Sequence, residues 1–186
     1  GDYAIVGAYQ DDDGGSSSGS AYIFTRSGTT WTQQAKLVAS DAAAGDKFGL
    51  SISIYNDYVV VGAYQNDDAG DESGSAYIFK RSGSTWTQQA KLLASDAAAA
   101  DQFGWGIAIS GKTIMVGGAY NDDAGSQSGS AYIFEGAYEI STATQQVEKW
   151  DSNINLDVSG NIYFSGDIIK NGSVINVSGN QGYQGM

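Results

Sequence analysis

The sequence predicts an all-β protein, a partial β-propeller of four-stranded antiparallel blades with a short β-rich C-terminal stem. Three observations carry this. The segment Ser-Gly-Ser-Ala-Tyr-Ile-Phe ends at Phe24, Phe79 and Phe134, 55 residues apart each time, and a fixed period is the signature of a repeat architecture. The run from Trp31 to Gly49 recurs from Trp86 to Gly104, changed only at Val38/Leu93, Gly45/Ala100 and Lys47/Gln102. Within one period the apolar pattern reads as four short strands divided by Gly-, Asn- and Asp-rich turns, which is the content of one propeller blade.

The elements of a repeat follow in order. Phe48 to Ile54 and Phe103 to Ile109 alternate large and small residues ahead of polar turns at Tyr55-Asn56-Asp57 and Ser110-Gly111-Lys112, as a strand entering a hairpin does. Tyr58 to Ala63 is β-branched and continuous, the pattern of a strand buried on both faces. An acidic, Gly-rich loop leads to a third strand at Ser75–Phe79, Arg81-Ser82-Gly83-Ser84 reads as a turn, and Trp86 to Leu93 gives the fourth strand. The Ala-rich stretch Ser95 to Ala100 falls between blades, with one short helical turn as the alternative. Residues 1–136 thus hold one complete repeat flanked by two partial ones. A closed propeller needs about four to eight blades, so the chain reads as an excerpt, with more repeats expected before Gly1.

Composition narrows the function. No stretch of the 186 residues approaches the roughly 18 consecutive apolar residues of a spanning helix, so membrane insertion is not expected. The formal net charge is −12, from 9 basic and 21 acidic residues. Such a surface repels a phosphate backbone, and nucleic acid is not an expected partner. There is no Cys and no His, which removes thiol nucleophiles, Cys-ligated zinc and the usual general base near neutral pH. Carboxylates alone can hydrolyse glycosides, but a catalytic pair needs dissimilar environments that separate its two pKa values. The acids here recur from repeat to repeat in polar loops, so no enzyme is expected.

Their placement is nonetheless uneven. The loops between second and third strands carry Asp11, Asp12, Asp13, Asp67, Asp68, Asp71, Glu72, Asp122 and Asp123, and the inter-blade loops add Asp41, Asp46, Asp96 and Asp101. Alternate connections of an antiparallel blade share one side, so these acids gather on one face, opposite Arg26, Lys80 and Arg81. Asp11, Asp13, Asp67, Asp68, Asp71, Asp122 and Asp123 are candidate ligands of calcium, a hard ion that takes carboxylate and carbonyl oxygens. The competing reading is that Asp, Asn, Gly and Ser simply make good solvated loops. No cofactor is required, and calcium is the one ion to consider.

The ordered motifs Phe48-Gly49 with Val61-Gly62-Ala63-Tyr64, and Phe103-Gly104 with Val116-Gly117-Gly118-Ala119-Tyr120, resemble the FG-GAP repeats of integrin α chains and of bacterial and viral relatives. The first repeat keeps the second half, Val6-Gly7-Ala8-Tyr9. The resemblance implies structural roles for Phe48, Gly49, Gly62, Ala63, Phe103, Gly104 and Gly117. It does not carry over calcium ligands, because the integrin-type loop lies between the two motifs, where this chain has only the short turns at residues 55–58 and 110–113. Gly28-Thr29-Thr30-Trp31 and Gly83-Ser84-Thr85-Trp86 also resemble the second half of the sialidase Asp box, with Arg26 or Arg81 where the Asp stands. That likeness implies turn chemistry, with Trp31 and Trp86 as inter-blade packing.

After Phe134 the repeat dissolves. Residues 137–152 are read as a closing strand or linker, with Tyr138-Glu139-Ile140 or Val147 to Trp150 as the strand. Residues 153–178 alternate Ile154, Leu156, Val158, Ile162 and Phe164 with turn signals, a β-rich stem segment that resembles phage and large-virus fibre stems. Residues 179–186 fit the start of a collagen-like Gly-x-y tract, which implies a homotrimer through the stem. The expected function is a non-catalytic binding or display module of an extracellular cell-surface or virion fibre protein, its loops contacting a glycan or protein receptor. The alternative is a bacterial secreted or cell-surface adhesion protein that binds calcium.

Overall fold

The computed structural model describes residues 1–136, together with the backbone of Val147–Trp150, Ile168–Lys170 and Ser173–Ile175. Three antiparallel meanders follow one another. The first blade is β1 (Tyr3–Ala8), β2 (Ser20–Ser27) and β3 (Thr30–Leu37); the second is β4 (Ile52–Tyr55), β5 (Tyr58–Ala63), β6 (Ser75–Ser82) and β7 (Thr85–Leu92). The third is β8 (Phe103–Ser110), β9 (Thr113–Gly118), β10 (Ser130–Glu135) and β11 (Val147–Trp150). A hairpin of β12 (Ile168–Lys170) and β13 (Ser173–Ile175) falls in the predicted stem. The described residues contain no helix, and the all-β class and blade-like sheets are as the sequence predicts. The helical alternative for the Ala-rich stretch gives way to turns.

Three details differ from the sequence reading or complete it. In the second blade the first strand starts at Ile52, four residues later than expected; Phe48 bridges Gly19 of the first blade in parallel as Phe103 bridges Gly74, but only Phe103 also pairs within its own sheet, with Gly118. The third blade gains its fourth strand at Val147–Trp150, which pairs with β10 from Ala131↔Trp150 to Phe134↔Val147. The other candidate, residues 138–140, lies outside the described residues, as do most of the stem and the whole Gly-x-y tract. Finally, Ala63 pairs with Ser75 and Gly118 with Ser130. The doubled glycine of the third repeat is therefore no insertion; Gly118 replaces Ala63, and Tyr120 stands where Gln65 does.

Strand alternation sends successive side chains to opposite sides of each sheet, and both sides of the second blade are covered. Val59, Val61, Tyr77 and Phe79 face the first blade, packing in one cluster with Ala21, Ile23, Leu37 and Phe48. Val60, Ala76, Ile78 and Leu92 face the third, packing with Phe103, Ile114, Val116, Tyr132 and Phe134. The two Phe-Gly phenylalanines are the wedges. Phe48 meets Tyr77 and Phe79 edge-on at 5.6 and 6.0 Å, and Phe103 meets Tyr132 and Phe134 at 5.2 and 6.0 Å. Both are fully buried, worth roughly 2–3 kcal/mol each by area removed from water.

The hairpins use their glycines for turning. Gly28 and Gly83 have φ of +62° and +63° at the first position of two-residue loops, Ser27 pairing with Thr30 and Ser82 with Thr85, a conformation that costs glycine nothing. The outer hairpin of each of the first two blades also carries a bulge, between Ile23 and Phe24 and between Ile78 and Phe79. The first bulge leaves Gln34 without a cross-strand mate, and its Oε1 accepts a 3.0 Å bond from Trp86 Nε1 of the next blade. An irregularity in one sheet thereby becomes a link between two.

Candidate binding face

The loops between second and third strands are built on one plan. Each begins with a short polar side chain, Asp11, Asn66 or Asn121, whose Oδ1 accepts the N–H two residues on, at 3.2, 3.3 and 3.4 Å. Such self-capping is what makes Asp and Asn good turn residues. The hydroxyls of Ser20, Ser75 and Ser130 tie the same side chains to the following strand, at 3.1, 2.7 and 2.7 Å. The next acid closes the loop: Asp12 Oδ1 accepts from Ser17 N at 2.7 Å and Asp67 Oδ1 from Glu72 N at 2.8 Å.

A lysine from the fourth strand of the repeat then enters each of the first two loops. Lys36 Nζ bonds Asp11 at 3.1 Å and also Asp13; Lys91 Nζ bonds Asn66 at 3.1 Å, Asp41 at 2.7 Å and also Asp68. Each ammonium also lies 5.2 Å from a tyrosine ring centroid, Tyr22 and Tyr77. Hydrogen bonds from Tyr22 and Lys36 hold the Asp11 carboxyl well below the usual carboxylate range, and the bond to Asp13 pushes Lys36 above the lysine range. Burial is the largest influence on Asp41 and opposes its ionisation, yet the hydrogen bonds from Lys91 and Tyr77 together with the Lys91 charge outweigh it and keep the carboxyl low. Asp46, burdened mainly by burial, is raised instead, while its Oδ2 accepts from Ala43 N at 2.9 Å.

The structure thus places Asp11 and Asp13 around one ammonium, Asp68 beside another, Asp67 as a loop cap, and Asp71 in the backbone of the inter-blade contact. Asp122 and Asp123 lie in the third loop. Among the described residues no three acidic side chains group closely enough to hold a metal ion. In the first two loops lysine nitrogens face the carboxylates of Asp11, Asp13, Asp41 and Asp68.

The acidic loops and the inter-blade segments do share one side, and backbone joins them. The carbonyls of Ser16, Ser17 and Ser18 accept from Gly45, Lys47 and Phe48 at 2.9, 3.2 and 3.0 Å; those of Asp71, Glu72 and Ser73 accept from Ala100, Gln102 and Phe103 at 2.8, 3.1 and 3.0 Å. Asp96 adds a side-chain latch across the second interface, accepting from Tyr132 Oη at 2.8 Å.

Beside these loops lies a ridge that sequence reasoning missed. Trp105 stacks edge-on against Tyr64 at 4.7 Å and Tyr120 at 5.8 Å, and the indole is 42% exposed. Around it Gln65 Nε2 and Gln102 Nε2 donate to the two carboxylate oxygens of Glu72 at 2.6 and 2.7 Å. Two substitutions between repeats signal the ridge: Trp105 stands where the second repeat has Leu50, and Tyr120 where it has Gln65.

The loops, the phenylalanine wedges and the hairpin glycines Gly28 and Gly83 recur at a spacing of 55 residues, and a family model for the FG-GAP repeat matches residues 1–24, 31–79 and 86–134. The chain belongs to the FG-GAP repeat family. A comparison with curated proteins found no match. FG-GAP repeats are commonly binding modules, typically extracellular or surface-associated and non-catalytic, and no helix among the described residues is long and apolar enough to cross a membrane.

In this FG-GAP chain the two halves of the motif meet across blades. Gly49 and Gly104 lie against Gly7 and Gly62 of the preceding blade so closely that a Cβ on Gly7 or Gly62 would come within 1.8 or 2.1 Å of their carbonyl oxygens. Ala63 is buried in the first interface, and Gly117 lies at the open side of the third blade. Trp86 packs between blades, 6.3 Å from the Tyr3 ring. Trp31, its counterpart, is 45% exposed and lies 5.6 Å from the Arg26 guanidinium; the first blade has no described neighbour on that side.

Proposed function

We propose that this FG-GAP chain is a non-catalytic binding module displayed at an extracellular surface, and that its ligand is a glycan held against Tyr64, Trp105 and Tyr120. The observation that carries the reading is the exposed aromatic ridge rimmed by Gln65, Gln102 and Glu72. Flat aromatic faces beside fixed amides and a carboxylate supply both contacts a sugar ring needs, apolar area and directed hydrogen bonds. Full-length chain applied to a glycan panel should retain one glycan class. Trp105→Ala should bind it at least about tenfold more weakly, a loss of about 1.4 kcal/mol, with an unchanged thermal midpoint because the indole is at the surface. Equal retention by the variant would remove the ridge from the proposal. A protein receptor is the second reading, favoured by the same Trp and Tyr residues as contact hot spots.

The stem supports a finer proposal, that the module sits on a trimeric virion fibre. Its support is the repeat array followed by the β-rich and Gly-x-y segments of residues 153–186. Light scattering on the full chain should give three times the 19.4 kDa chain mass; a monomer would refute the trimer. The calcium-dependent adhesion reading rests on the acidic loops alone. Since Lys36 and Lys91 already pair with Asp11, Asp13, Asp41 and Asp68, the melting curve should be the same in millimolar calcium and in chelator. A calcium-induced rise in midpoint would restore the metal.

A further inference from the structure

The joint between the first and second blades and the joint between the second and third share one backbone but not one chemistry. At the first, Ser17 O accepts from Lys47 N at 3.2 Å; at the second, Glu72 O accepts from Gln102 N at 3.1 Å. Lys47, Ser17, Gln102 and Glu72 all hold the left-handed backbone, at φ of +58°, +54°, +53° and +52°, so the two pairs of side chains leave it in the same direction. Beside each joint stands the tyrosine that follows the Gly-Ala motif, Tyr9 at the first and Tyr64 at the second.

At the first joint the chain lays its own cation on that tyrosine. Lys47 Nζ stands 6.0 Å from the Tyr9 ring centroid, within reach of a cation–π attraction. Three substitutions at equivalent positions undo this at the second joint. Gln102 replaces Lys47 and removes the ammonium, Glu72 replaces Ser17 and adds a carboxylate, and Trp105 replaces Leu50 and sets a second ring 4.7 Å from Tyr64. Gln65 and Gln102 hold the Glu72 oxygens with uncharged amides, and among the described residues no basic side chain pairs with Glu72. Burial and, after it, the Glu72 charge push the Tyr64 hydroxyl above the usual tyrosine range, so the ring lies in the field of that carboxylate.

We propose that the second joint binds a protonated primary amine of the ligand, which makes the ligand class an amino-sugar glycan; this rests on the glycan reading of the ridge. The ammonium takes the place that Lys47 fills at the first joint, donating to Glu72 and lying against Tyr64 and Trp105. A charge-assisted hydrogen bond and a cation–π contact act together there. The surrounding loop adds to the selection. It carries Asp67, Asp68 and Asp71, toward which a sialylated or sulfated glycan would bring a like charge.

The test is titration of the full chain with a glucosamine oligosaccharide and with its fully N-acetylated counterpart of equal length, which keeps the rings and loses the charge. The free-amine sugar should bind at least about tenfold more tightly. Glu72→Gln should bring the ratio of the two affinities close to one. So should Gln102→Lys, which returns the chain's own ammonium to the site; thermal melts check that each variant is folded. A general attraction of amines to a chain of net charge −12 would survive the loss of one carboxylate, so a ratio that both variants leave standing would overturn the proposal. Equal affinity of the parent for the two sugars would also overturn it, while leaving the glycan reading in place. Binding of neither sugar would overturn it too, and retention of other glycans on the panel then decides whether the wider reading falls with it. A lysine-rich peptide that binds with the same dependence on Glu72, where neither sugar does, would assign the ammonium to a protein receptor instead.

Discussion

Phe103→Ala should lower the free energy of unfolding by about 3–5 kcal/mol, the range for deleting a large aromatic side chain from a close-packed interior. The ring is fully buried and wedged between two blades, edge-on to Tyr132 and Phe134, while its own N–H is tied to Ser73. The surroundings have little freedom to collapse, because the backbone on both sides is fixed by the inter-blade bonds. Urea unfolding of the full chain measures the loss. Met115→Ala, an exposed apolar truncation, should change stability by less than about 0.5 kcal/mol. If Phe103→Ala cost no more than Met115→Ala, the ring would not be the wedge that holds the second and third blades together.

The second large effect comes from adding one methyl group. Gly62→Ala would put a Cβ 2.1 Å from the Gly104 carbonyl oxygen and 2.5 Å from Ser51 Oγ. These two atoms are themselves joined by a hydrogen bond in which Ser51 donates. Backbone cannot swing aside as a side-chain tip can, so the two blades must separate. The expected cost is about 3 kcal/mol, the upper part of the usual overpacking range. A Gly→Ala change in a strand without such a neighbour restricts the unfolded chain and is neutral or mildly stabilising, by about 0.4–1 kcal/mol. Thermal melts of the Gly62→Ala and Gly117→Ala chains compare the same motif position in a filled and an open interface. Equal midpoints would contradict the close approach of Gly62 to Gly104.

Much of the architecture is legible in the 55-residue period because each repeat encodes the same four strands by local signals. Gly28 and Gly83 end strands, and the β-branched run Tyr58 to Ala63 marks the one buried on both sides. The alternation from Phe48 continues smoothly into Ile52, so it does not show that Phe48 pairs with Gly19 of the neighbouring sheet and not within its own, a difference from Phe103 that no local pattern displays. The same limit applies to the acids. Lys36 is more than twenty residues from Asp11 and Asp13 along the chain, and only the return of the fourth strand brings its ammonium between them. The aromatic ridge was missed for another reason. Attention to what repeats hides what does not, and Trp105 and Tyr120 are departures from the repeat.

The parallel bonds between each acidic loop and the next inter-blade segment are made by main-chain atoms only. Ser16, Ser17 and Ser18 in one repeat, and Asp71, Glu72 and Ser73 in the next, offer the same carbonyls with different side chains, although Glu72 also accepts from Gln102 Nε2 across the joint. Such a seam is indifferent to spelling. The outward residues of the loop can be rewritten, neutral in one repeat and acidic in another, while the spacing of the blades stays fixed, so recognition at this surface is free to diversify without renegotiating the fold beneath it.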